Sequence, residues 1–200
     1  MAYSKFTLTQ LETEFQIQLV EDQHLYPNIT EVILPHALTD LLAYYVPMAT
    51  AISTEKARSE LIVAPILVEL RRLTHEQISL FSGIEFNVDR KKGLTGACDF
   101  LISRSSNQFY LTAPVITLVE AKNNNLKDGL PQCMAEMIAA QIFNHKRNVT
   151  IDTIYGVVTT GSIWRFLHLI DKTVYIDKDE YYLNDLSKIM AILLTMSQGT

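Results

Sequence analysis

The stretch Val115-Ile116-Thr117-Leu118-Val119-Glu120-Ala121-Lys122 decides how this chain is read. Its first five residues are aliphatic or β-branched, the run expected of a strand buried on both faces. Side chains two apart on a strand share a face, so Glu120 and Lys122 project together and Ala121 points the other way. A carboxylate and an ammonium at the end of so apolar a strand are costly unless they pair or meet a metal ion. Upstream, Gly96-Ala97-Cys98-Asp99-Phe100 carries a lone acid on another apolar segment. If the two strands pair antiparallel in the expected register, Asp99 sits directly opposite Glu120.

Outward from this pair, loose alternation predicts a strand over Phe81–Asp89, a turn at Arg90-Lys91-Lys92-Gly93 and strands over Ala97–Ser103 and Pro114–Ala121. A helix is expected from about Glu55 to Leu73, capped by Ser53 or Thr54 and bent at Pro65. Gly129 and Pro131 open a second helix running to about Asn144. Thr153–Thr160, the turn Gly161-Ser162 and Ile163–Ile170 read as a hairpin, followed by a strand near Thr173–Ile176 and an amphipathic helix over Asn184–Met196. Before the core, a short helix starts at Thr7 or Thr9, a brief strand covers Ile17–Val20, and a helix over Asp40–Ala51 is ended or kinked by Pro47. A helix crossing over after a buried strand implies a parallel pair in a mixed sheet. The expected fold is α/β: one domain with a mixed central sheet flanked by helices. Residues 1–53 form an N-terminal helical and strand extension, 54–176 the core and 177–200 a C-terminal helix.

At 200 residues, 48% of them hydrophobic, the chain can bury one full core. Its net charge of −5 argues against coating nucleic acid through overall charge. It leaves room for an acidic pocket with a local basic rim, and basic residues do cluster at Lys56/Arg58, Arg71-Arg72, Arg90-Lys91-Lys92 and Lys146-Arg147. No apolar run has membrane-spanning length, Met1–Phe6 lacks the layout of a secretory signal, and Cys98 and Cys133 lack metal-ligand spacing. A cytoplasmic location with reduced thiols is the expectation. The five histidines are scattered without the spacing of a zinc site.

Two carboxylates, Asp99 and Glu120, with the backbone carbonyl of Ala121, make a set of hard oxygens suited to Mg²⁺ or Mn²⁺. A neighbouring Lys122 can orient an attacking water and offset charge in a pentavalent transition state. These are the parts of metal-assisted phosphodiester hydrolysis.

In these motifs the chain resembles the PD-(D/E)XK nuclease superfamily, whose restriction-endonuclease-like fold carries an acid on the second core strand and Glu-x-Lys on the third. The resemblance spans about Thr54–Ile176. It assigns metal binding to Asp99, Glu120 and Ala121, and catalysis to Asp99, Glu120 and Lys122. It adds Glu60, on the first core helix, and Gln132, on the helix after the third strand, with Glu136 and Gln141 as weaker matches for the glutamine. Cys98 stands where the pattern has proline. The hairpin Tyr155–Phe166 is similar to the Thr-Asn-Gly-x-x-Trp hairpin in the N-terminal nuclease domain of type I restriction endonuclease subunits, with Thr160 in place of the asparagine. The resemblance implies a Mg²⁺- or Mn²⁺-dependent nuclease, endo- or exonucleolytic, acting on DNA, with a homodimer as the arrangement that pairs two sites for two-strand cutting. Two residues have structural readings of equal standing: Glu60 has turn spacing for an ion pair with Lys56, and Gln132 suits a water-exposed first turn. The alternative from another class is a non-catalytic nucleic-acid- or protein-binding module on the same fold.

Overall fold

The computed structural model describes residues 2–199. β4 (Val115–Ala121) is buried at every position, as its composition demands, and lies inside a mixed sheet. Its neighbours are β3 (Ala97–Ser103), antiparallel, and β5 (Thr153–Thr159), parallel. The full order is β1-β7-β6-β5-β4-β3-β2, with β2 at Ser79–Glu85, β6 at Ile163–Ile170 and β7 at Thr173–Ile176. The short β1 (Gln18–Val20) joins the far edge parallel to β7, and β8 (Tyr181–Tyr182) pairs with β6. The chain is therefore α/β with a mixed central sheet flanked by helices.

The crossover that makes β4 and β5 parallel is α5 (Leu126–His145). Its Met134, Met137 and Ile138 pack with Leu101, Leu118, Val158 and Leu167 in one core layer. A second layer gathers Ile66, Leu67 and Leu70 of α4 (Ala64–Leu73) and Ile189, Met190 and Leu193 of α6 (Leu186–Gln198) with Phe100, Val119, Val157 and Phe166. Each fully buried aliphatic side chain contributes roughly 1.5–3 kcal/mol, so the two layers supply the bulk of the folding free energy.

Several boundaries differ from the sequence reading. The first strand of the core is Ser79–Glu85 rather than Phe81–Asp89, because Asp89 already closes the turn by accepting the Lys91 and Lys92 N–H groups. Helix α5 starts at Leu126, before Gly129 and Pro131: the Asn125 side chain accepts the Lys127 N–H, and Pro131 sits inside the helix. α2 (His36–Ile52) begins four residues early and runs through Pro47 instead of ending there. Pro47 is exposed, so its ring meets solvent and only one backbone hydrogen bond is forgone. α1 (Leu8–Phe15) is capped by Thr7, whose hydroxyl accepts the Gln10 N–H.

The helix expected over Glu55–Leu73 is interrupted. α3 (Glu55–Arg58), capped by Thr54, passes into a π-turn at Ser59–Val63 and then into α4. There the Ala64 N–H reaches back five residues to the Ser59 carbonyl. The widened turn lies immediately before Pro65, which has no N–H to give to the Leu61 carbonyl one turn back.

Candidate functional site

Backbone register brings the sequence motifs to one end of the sheet. Phe100 pairs with Val119 across β3 and β4, so the next position places Asp99 across from Glu120. The ladder ends there, and the Asp99 carboxylate takes its place by accepting the Ala121 N–H at 2.8 Å. Glu120 is 1% exposed, while Asp99 and Lys122 are half-buried. The Lys122 ammonium donates to Glu120 Oε1 at 2.5 Å and to Gln132 Oε1 at 3.4 Å. Glu120 Oε2 is buried with no hydrogen-bond partner among the described residues.

Electrostatics follow from this packing. Burial and then the charge of Asp99 push the Glu120 carboxyl up to about 8, against the opposing pull of Lys122. Burial also raises Asp99, tempered by the Ala121 N–H and by Lys122. Burial alone would lower the Lys122 ammonium, but Glu120, with Glu55 and Asp99, outweighs it and the group is raised. Two neighbouring acids that are both raised by burial, with one cation beside them, make a pocket that favours additional positive charge.

Of the sequence candidates, Asp99, Glu120, Ala121, Lys122 and Gln132 converge here. Glu60 stands apart. Its side chain is 61% exposed and pairs with Lys56 at 3.1 Å, the helix-surface ion pair that its spacing allowed. Glu55, exposed at the start of α3, is the acid of this helix whose charge bears on Asp99, Glu120 and Lys122. Glu55 lies in the first turn of α3 and Glu60 in the π-turn that follows, so the two acids leave the helix in different directions. Glu55 was detectable only as an acid in the first turn after the Thr54 cap. Gln141 lies elsewhere and donates to the Asp171 carbonyl.

Glu136, one helical turn beyond Gln132, is fully buried and accepts from Gln132 Nε2 at 3.2 Å. Burial, then the charge of Glu120, raises its carboxyl well above the ordinary range. The Cys98 and Cys133 thiols nearby are also raised by burial, which makes them inert fillers at neutral pH.

The hairpin after α5 closes beside this site. The Lys122 N–H donates to the Thr159 carbonyl at 2.7 Å. Gly161 adopts φ +78° in the turn, and Trp164, fully buried, donates its indole N–H to the Gly161 carbonyl at 3.1 Å. Thr160 closes the turn by accepting the Ile163 N–H at 3.2 Å. Arg58 donates to the Thr160 carbonyl at 3.2 Å, tying α3 to the hairpin. Adjoining it, a groove of about 680 Å³ is bordered by Asn125, Lys127, Thr160, Arg165 and Lys178, with Glu21 and Glu180 also lining it.

Among the described residues, no three His, Cys, Asp or Glu side chains converge to hold a metal ion. The two strand-end carboxylates, Asp99 and Glu120, are hard oxygen donors of the kind that suits Mg²⁺, which keeps several waters and takes phosphate oxygens as further ligands. The unpartnered Glu120 Oε2 is the atom that fits such an ion. Among the described residues, no helix is long and apolar enough to cross a membrane. No protein-family model matches the chain, and no curated protein matches it.

Proposed function

We propose that this chain is a metal-dependent nuclease of PD-(D/E)XK type, with a restriction-endonuclease-like core, hydrolysing phosphodiester bonds in DNA. The observation that carries the reading is the hydrogen bond from the Ala121 N–H to Asp99, which brackets the Glu120–Lys122 pair with the second acid at one sheet end. Asp99, Glu120 and the Ala121 carbonyl would hold Mg²⁺ or Mn²⁺. The ion, when bound, supplies Lewis acidity toward the phosphate and lowers the pKa of a bound water.

The protein's own residues do the rest. Lys122 keeps its proton, so it serves as a donor that orients the nucleophilic water and offsets charge on the phosphate. Burial and the neighbouring Asp99 raise the Glu120 carboxyl, so without a cation the site favours its neutral form, and a bound cation would favour its carboxylate. Gln132 steadies Lys122 from the opposite side. Lys127 and Lys178 along the adjoining groove offer contacts to the phosphates of a bound strand, while Arg165 is held by Glu180 at 2.5 Å.

A second reading, a non-catalytic binding module on the same fold, is favoured by the placement of Glu60 away from the cluster. Cleavage of plasmid and single-stranded DNA with and without Mg²⁺ tests the first reading, alongside Mn²⁺ calorimetry. Cleavage lost in Glu120→Ala and Lys122→Ala, with Mn²⁺ heat that needs Asp99 and Glu120, supports the nuclease. Cleavage that survives both substitutions removes these residues from the mechanism, and no Mn²⁺ binding at millimolar concentration favours the module.

A further inference from the structure

Glu136 takes no part in the chemistry above, yet it is 0% exposed in the middle of α5, where an apolar side chain would pack without desolvation cost. Its Oε2 accepts no N–H or O–H among the described residues, and the buried Cys98 thiol is the weak donor beside the carboxyl. Its Oε1 has one: the Gln132 side-chain NH₂, at 3.2 Å. A primary amide has a donor end and an acceptor end, and the two can exchange by rotation. With the NH₂ end held by a carboxyl, the amide oxygen is left for Lys122, at 3.4 Å. Reversed, the amide would set its N–H groups against the ammonium.

We propose that Glu136 is a positioning residue: it fixes the direction of the Gln132 amide, and through that amide holds the Lys122 ammonium between Glu120 and Gln132. Of the three ammonium protons, one goes to Glu120 and one to Gln132, which leaves the third for a water or a phosphate oxygen. The spacing of four residues on one helix makes the relay rigid, since both side chains leave the same face of α5.

The test has two arms, and only the activity arm rests on the nuclease reading. In the first arm, the Gln132 side-chain amide is followed by NMR on the full chain, its signals identified by their loss in Gln132→Met. The unaltered chain should show amide protons that exchange slowly and lie close to the Glu136 methylene protons. Glu136→Met should speed that exchange by about tenfold or more, and Glu136→Gln, which still offers an oxygen, should recover part of the protection. Unchanged exchange in Glu136→Met overturns the proposal, as does the absence of Gln132–Glu136 proximity in the unaltered chain, a measurement that needs no variant to fold.

In the second arm, Glu136→Met and Gln132→Met should each lower kcat by about tenfold with KM little changed, and the double variant should fall no further than either single one. A double loss equal to the product of the two overturns the relay. An unaltered chain that cleaves nothing refutes the nuclease reading while the amide measurement still decides the role of Glu136.

Discussion

Replacing Glu120 by Gln in the metal-free protein should change how its stability depends on pH. The folded chain holds the Glu120 proton up to about 8, whereas the unfolded chain releases it near the ordinary 4.5. The contribution of this group is therefore fully present below pH 4.5 and is lost as pH rises toward 8. Within that interval the folded state binds the extra proton, so each pH unit weakens folding by up to about tenfold in the equilibrium constant. Summed over the interval the ceiling is about 5 kcal/mol, a net in which the pull of Lys122 is already included. Glutamine has the size of the protonated acid and keeps an oxygen for the Lys122 ammonium, but it cannot ionise. Urea unfolding in chelator from pH 4.5 to 8.5 should give a curve for the native chain that falls relative to Glu120→Gln, with the gap widening steadily between pH 5 and 8. Parallel curves for the two proteins would mean that Glu120 ionises as it does in water, and the reasoning from its burial and unpartnered oxygen would be wrong.

Other perturbations probe separate parts of the site. Glu60→Ala should shift stability by less than about 0.5 kcal/mol and leave Mn²⁺ binding intact, because it removes only an exposed ion pair, whereas Glu55→Ala should weaken the calorimetric Mn²⁺ signal. Gly129→Ala should cost about 1–3 kcal/mol in thermal unfolding and reduce cleavage as well, since its new methyl would meet Val158 Cγ1 at 2.6 Å and the Lys122 stem at 3.0 Å. Lys127→Ala combined with Lys178→Ala should weaken DNA binding uniformly across sequences and flatten its salt dependence, read by fluorescence anisotropy at several ionic strengths.

The centre of the sheet was legible because its signals are local. The unbroken apolar run of β4 allows one environment only, and the two-residue period of a strand sets Glu120 beside Lys122 without knowledge of the rest of the chain. Glu60 was less legible because a helical position carries a phase, and phase errors accumulate. The spacing from Lys56 to Glu60 described an ion pair as well as it described a site residue, and only the tertiary placement of α3 distinguishes them. The π-turn at Ser59–Val63 leaves no mark in composition beyond the proline that follows it. The parallel pairing of β1 with β7 joins segments from opposite ends of the chain, a long-range contact that periodicity cannot register. Glu136 was visible as an acid in a helical pattern, but its complete burial, which gives it meaning, is a property of the packed sheet rather than of α5.

The hydrogen bond from the Ala121 amide to Asp99 has an implication for assembly. Glu120, Lys122, Gln132 and Glu136 arrive together on one strand–helix unit, so their mutual order is inherited from local sequence. Asp99 comes from a separate strand, and a slip of one residue between the two would turn its carboxylate to the opposite surface. That amide can be satisfied by the acid only when the alignment is right, so the contact works as a proofreading latch. A chain misaligned at these two strands would leave the Ala121 amide unpaired and Asp99 apart from Glu120.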